Sequence, residues 1–273
     1  MSRLTDEELL EIQVFIDRAR DELHSRGLTI EVDTDLSKWV RLLRNAPKAD
    51  IVASTHDPSK SNVHPGNSFW VVIREQQRSI WDRLLRREAP IIACLCHRVV
   101  ETESIIEEMR TQRLFFDRKP ILDYKPIEIT ATNMPLIGGK VGVAGGFWVH
   151  PHYRGTKLSN IVSRVTRILS LRHFDIDWSV SLVRDTPRRK AMIHNTYGLS
   201  HSASVSRGYY PPYNTELDMQ MSYMHRSEML AQVKSENAKA APERQSEVAR
   251  QEESDAAAQQ EAKPPKIRRW SVN

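Results

Sequence analysis

With 273 residues, 40% of them hydrophobic and 27% charged, the chain is long enough for one large domain or two small ones at about 150 residues each. A mean hydropathy of -0.52 is polar for a compact fold, so part of the chain is expected to face solvent. The 40 basic and 35 acidic residues leave a net charge of +5, which permits a polyanionic ligand without requiring a nucleic acid.

The chain begins with no basic stretch followed by an apolar core, so no signal peptide is expected. Thr5-Asp6-Glu7-Glu8 reads as a capping box, in which the Thr5 hydroxyl and the Glu8 carboxylate each accept from the other residue's amide. Leu9, Ile12, Phe15, Ile16, Ala19 and Leu23 then recur at helical spacing, and Gly27 ends the helix. A second helix is predicted over Leu36 to Arg44, with Trp39, Val40 and Leu43 inward. Residues 46–67 hold Pro47, Pro58, Pro65 and Gly66 and read as a loop able to lie over a cleft.

Ser68 to Arg74 and Pro90 to Val100 read as strands, with a short helix between them over Arg78 to Arg87. The two cysteines, Cys94 and Cys96, are separated by one residue and point to one face of a strand. A disulfide there is sterically poor and two thiols cannot build a zinc site alone, so buried free thiols in a reducing compartment are expected. Cys96-His97 is a nucleophile and base only on paper, because neighbours in a strand face opposite ways. Glu101 to Leu114 reads as helical and Phe115 to Gly139 as irregular. Val141 to Val149 is a strand rich in glycine and valine, and Thr156 to Leu171 an amphipathic helix with Leu158, Ile161, Val162, Val165, Ile168 and Leu169 on one face. A strand over Asp177 to Val183, a short helix over Thr186 to Thr196 and two closing strands, Ser202 to Tyr209 and Leu217 to Tyr223, follow. No run approaches the ~18 apolar residues that span a membrane, and a cytoplasmic protein is expected. From 228 to 273 the composition shifts to Ala, Gln, Glu, Lys, Arg and Ser, a disordered or weakly helical tail. It ends in basic residues around Trp270, where a protein or nucleic acid is a possible partner.

The informative junction is Gly146-Phe147-Trp148-Val149-His150-Pro151-His152-Tyr153-Arg154-Gly155. A strand stops at a proline, an Arg-Gly turn follows, and an amphipathic helix begins. Unpaired amides and the positive dipole end make a helix N-terminus a phosphate site, and Arg154 and Lys157 add charge beside it.

This segment resembles motif A of the GNAT superfamily of N-acetyltransferases, where a strand and a V-x-P-x-Y-R-G run lead into the helix that cradles the coenzyme A pyrophosphate. The family's turn usually reads Arg/Gln-x-x-Gly-x-Gly/Ala. Here it is Arg154-Gly155-Thr156-Lys157-Leu158-Ser159, with Lys157 where the central glycine stands. Downstream, Gly198-Leu199 aligns with a Gly-Phe pair, and the family's general-acid tyrosine position falls on His194, with Tyr197 just before the glycine.

The resemblance implies an α/β (α+β) fold with a mixed, largely antiparallel twisted sheet flanked by helices. It would occupy residues 1–227, with a helical N-terminal part over 1–46 and a core that binds coenzyme A over 141–224. It implies acetyl-CoA as co-substrate without a metal, and direct attack of an amine acceptor on the thioester. Trp148, Val149 and His150 would hold the pantetheine through their backbone. Arg154, Gly155, Thr156, Lys157, Leu158 and Ser159 would hold the phosphates. His194 or Tyr197 would protonate the thiolate, a step that a histidine of ordinary pKa near ~6.5 can perform at neutral pH. His150, His152, Glu101 and Glu103 are further candidates for a base. Two other readings stay open: a GNAT-like module that binds without turnover, and a nucleic-acid-associated protein using its basic tail.

Overall fold

A computed structural model describes residues 3–76, 88–117, 127–131 and 133–240. The expected helix over 78–87 and the basic end of the tail lie outside them. The chain runs α1 (Asp6–Ser25), β1 (Leu28–Asp33), α2 (Leu36–Asn45), β2 (Ser68–Glu75), β3 (Ile91–Thr102), α3 (Ile105–Arg110), β4 (Glu128–Ile129), β5 (Gly139–Val149), α4 (Leu158–Phe174), β6 (Trp178–Arg184), α5 (Pro187–Asn195), β7 (His201–Arg207), β8 (Tyr209–Tyr210), β9 (Thr215–Glu216) and β10 (Met219–His225). A last helix, α6, covers 226–240.

The main sheet has eight strands in the order β1-β2-β3-β5-β6-β10-β7-β4. Its pairs are antiparallel except β5 with β6, which run parallel. The expected mixed, largely antiparallel sheet with flanking helices is therefore what forms. A small second sheet pairs β8 with β9.

Helix α1 forms where the capping box predicts it: the Glu8 amide donates to the Thr5 hydroxyl at 3.2 Å and the Thr5 amide to the Glu8 carboxylate at 2.8 Å. It buries Ile12, Phe15, Ile16, Ala19 and Leu23, packing beside α4 and directly against β1 on one face of the sheet. Full burial of each large aliphatic or aromatic side chain contributes about 1.5–3 kcal/mol. On the opposite face α2 buries Leu36, Trp39, Val40 and Leu43 over β2. A separate cluster around Phe115, Val180 and Met221 fills that face further along.

Three stretches differ from the sequence reading. Strand β1 was not expected; Leu28, Ile30 and Val32 alternate as a strand should, but the run is short, lies at the sheet edge and directly follows a helix stop. The region read as one helix over 101–114 divides, since β3 continues to Thr102 and α3 covers only Ile105–Arg110. Residues 228–240, expected inside a disordered or weakly helical tail, belong to α6. Met229 and Val233 are fully buried there, Arg18 pairs with Glu236, and Lys234 pairs with Glu7.

The feature that shapes the sheet is in β5. Cys94 faces Trp148 and Cys96 faces Gly145, so Leu95 alone stands opposite both Gly146 and Phe147, a β-bulge. Gly146 has φ of +61°, and a Cβ there would lie 1.9 Å from the Trp39 ring. Gly146→Ala therefore combines a left-handed backbone with a clash against a buried indole and is expected to cost about 2–4 kcal/mol. Gly155→Ala, at φ +84° but with open space around its Cβ, is expected to cost only about 1 kcal/mol. Urea unfolding of both variants checks the difference, and equal midpoints would remove the packing argument.

Candidate functional site

The bulge determines where the sheet opens. β5 and β6 pair from Val141↔Trp178 to Ala144↔Ser181, yet β5 continues to Val149 and β6 to Arg184. Beyond Ala144 the two strands diverge. A cavity of about 130 Å³ occupies the opening, lined by β5 through Ala144 to Phe147 and by β6 through Ser181 to Arg184. That is well above the ~10–15 Å³ that a cavity needs to hold a single water. A ligand-sized cleft beyond the carboxyl ends of adjacent parallel strands is where open α/β sheets bind their ligands.

The predicted phosphate turn follows β5. Pro151–Tyr153 makes a single 3-10 turn, and α4 starts at Leu158. Lys157 takes φ 62°, the left-handed conformation for which glycine is the usual choice. The position where the resemblance expects glycine thus keeps a glycine-like backbone, at a cost of about 1–2 kcal/mol for a residue with a Cβ. The turn is braced around it. The Thr156 hydroxyl donates to the Tyr153 carbonyl at 2.6 Å, Arg154 Nε to the Val149 carbonyl at 3.2 Å, and Arg26 to the Thr156 carbonyl at 2.8 Å. No side chain caps α4, and the amides of residues 157–159 donate to no acceptor among the described residues. Arg154, Gly155, Thr156 and Lys157 are exposed, Ser159 is half-buried and Leu158 is buried.

The other predicted residues separate. Tyr197 is buried, lines the cavity and meets Phe147 edge-on at 5.8 Å between ring centroids. His194 is exposed on α5, and its Nδ1 bonds the Leu199 carbonyl at 2.8 Å; it does not reach the cavity. Trp148, Val149 and His150 sit just past the lining. Trp148 and Val149 face β3, the Trp148 indole donates to the Pro47 carbonyl at 3.1 Å, and the His150 amide donates to the Ile92 carbonyl at 2.7 Å. The strand backbone at the opening is Ala144–Phe147, one bulge upstream. Adjacent glycines inside a strand pattern were the signal for it.

Two residues that sequence reasoning gave no site role also line the cavity: His97 and Arg167. His97 is fully buried, stacks on Phe69 at 6.0 Å, and fills the space a Gly142 Cβ would take. Neither of its ring nitrogens has a hydrogen-bond partner among the described residues. Arg167 is buried and donates to the Tyr197 and Gly198 carbonyls at 2.9 and 3.2 Å. Burial, with Arg164 nearby, lowers Arg167 to about 10, so it stays charged at neutral pH. Cys94 and Cys96 are free and buried. Burial pushes Cys94 up to about 12 and holds Cys96 well above the usual thiol range, which removes them as nucleophiles. Among the described residues no group of three or more His, Cys, Asp or Glu side chains is placed to hold a metal, and no helix is long and apolar enough to cross a membrane.

Burial pushes His56 down to about 4, with Arg98 adding to the effect, and His97 to about 3, with His56 and Arg167 adding. Both stay neutral in the fold while the unfolded chain takes up protons near ~6.5. Stability is therefore complete above about pH 6.5 and lost as the pH falls towards these values, at up to about 1.4 kcal/mol per pH unit for each histidine. Urea midpoints should stay nearly level from about pH 7.5 to 6.5 and fall clearly by about pH 5.5, and a flat profile down to there would contradict the buried neutral pair.

No protein-family model matches the chain, and no curated protein matches it. Among solved structures the chain is similar to Arabidopsis thaliana NAA60 in complex with acetyl-CoA, at 10% identity and a TM-score of 0.45, over 73% of this chain and 99% of that one. It is similar to a spermidine N-acetyltransferase SpeG chimera from Vibrio cholerae and hSSAT, at 9% and 0.43, over 75% and 99%. It is also similar to the ribosomal-protein-S18-alanine N-acetyltransferase of Escherichia coli, at 12% and 0.38, over 72% and 93%. At these scores the likeness is one of outline, and the chemistry has to be built from this chain's own residues.

Proposed function

We propose that the chain is a divergent GNAT-type N-acyltransferase that moves an acetyl group from acetyl-CoA to an amine. The observation that carries this reading is the divergence of β5 from β6 past Ala144↔Ser181, together with the uncapped start of α4 immediately downstream. In this reading the pantetheine arm lies in the opening and pairs with the free edge of β5 near Gly145–Phe147. The phosphates meet the amides of residues 157–159, with Lys157 and Arg154 supplying charge. The acceptor nitrogen attacks the thioester carbonyl, the C–S bond breaks, and the thiolate takes a proton while the amine nitrogen loses one. The acid role goes to Tyr197, which lines the cavity, rather than to His194.

Calorimetric titration with acetyl-CoA is expected to give one site per chain, and absence of binding would overturn the proposal. Lys157→Ala is expected to weaken that binding about three- to fivefold, the worth of one charge at a helix terminus. With an amine panel and a thiol-release assay, Tyr197→Phe is expected to lower kcat by about 100-fold or more while sparing affinity. His194→Ala should leave kcat within about twofold; a collapse in that variant alone would return the acid role to His194. Binding without thiol release across the panel would instead identify a module that has lost turnover.

A further inference from the structure

The cavity carries a charge that the transfer reaction as proposed does not use. Its charged lining residues are Asp50, Arg167 and Arg184, with the neutral His97 beside them. Asp50 and Arg184 pair with each other at 2.8 Å. The acid that most affects Arg167 is Glu236, and Glu236 is already shared by Arg18 and Arg164. Arg167 is thus a buried cation with no carboxylate of its own among the described residues. Two backbone carbonyls satisfy one of its terminal nitrogens, while its Nε is buried without an acceptor. His97 adds two more buried nitrogens without partners. Buried polar groups in native proteins are almost always satisfied, and an unpaired buried charge is costly. Arg167 and His97 project from two different elements, α4 and β3, into one cavity. A ligand that accepts hydrogen bonds and carries negative charge satisfies both.

We infer that the opening between β5 and β6 binds a carboxylate, held by the Arg167 guanidinium and an N–H of the His97 imidazole. The inference rests on the acyltransferase reading, and the carboxylate then has two sources. It is either the far end of a dicarboxylic acyl group on the thioester or the carboxylate of an amino-acid acceptor.

The full chain is assayed in two arms. In the first, succinyl-CoA is compared with butyryl-CoA, which has the same chain length without the distal charge, using a neutral amine as acceptor. In the second, acetyl-CoA is used with alanine against alaninamide. One arm is expected to favour the carboxylate by about 10- to 100-fold in kcat/KM, the worth of a charge-assisted hydrogen bond, and that arm names the source. In Arg167→Met the preference should fall to within about threefold of unity. Because Arg167 also ties down the Tyr197 and Gly198 carbonyls, His97→Phe serves as a second variant. It keeps the stack on Phe69, removes both nitrogens, and should reduce the same preference several-fold. Ratios within about twofold of unity in both arms, with CoA bound by calorimetry, overturn this inference alone. Failure to bind CoA at all overturns the acyltransferase reading beneath it.

Discussion

One steric constraint underlies the candidate site: the Trp39 indole occupies the space beside Gly146 where any other residue would place a side chain. That contact joins α2 to β5 and holds the bulge in register. The bulge adds one residue to β5 opposite β3, and the bent strand can no longer follow β6. The opening between the two parallel strands follows from that mismatch, because their hydrogen-bonding edges separate before either strand ends. A helix on one face of the sheet thereby controls a gap that passes between strands.

Glycine placement in β5 serves the same end. Gly142 leaves room for His97 on the α4 side, and Gly145 for His56 on the α2 side. Two imidazoles are pressed into the strand from opposite faces, and both are kept neutral by burial. His56 gains a bond to the Val143 carbonyl at 3.0 Å, while His97 gains none among the described residues. The asymmetry matters. A ring that bonds the strand beside it is structural, whereas a ring with two idle buried nitrogens, on a residue that lines a cavity, has capacity left for a ligand.

Periodicity made the amphipathic helices legible, and α1, α2 and α4 lie within a few residues of where apolar spacing and caps place them. Strands β2, β3, β5, β6, β7 and β10 were legible from composition instead, as β-favouring runs bounded by turn residues, since β2, β3 and β10 are buried along most of their length without alternation. The Arg-Gly turn before α4 was readable because its chemistry is local: a strand end at Val149, an unpaired helix start at Leu158 and two cations, Arg154 and Lys157, between them. What escaped was non-local. His97 acquires its environment from Phe69 and Gly142, and Arg167 reads as one more polar residue on a helix until the Tyr197 and Gly198 carbonyls close over it. His194 attracted attention by alignment, although helix α5 carries it to the surface. Helix α6 looked solvated because only Met229, Leu230 and Val233 stand out from its polar and alanine-rich composition, and the cluster that buries them is completed by α1.

That last contact bears on how the chain is made. Helix α1, at the beginning of the chain, packs where Met229 and Val233 complete the same hydrophobic cluster, more than two hundred residues later. During synthesis the first helix emerges long before its partner exists. Its apolar face stays uncovered on that side until translation has passed residue 233 and the tunnel has released it. Cooperative closure of the core consequently waits for residue 233 to clear the tunnel.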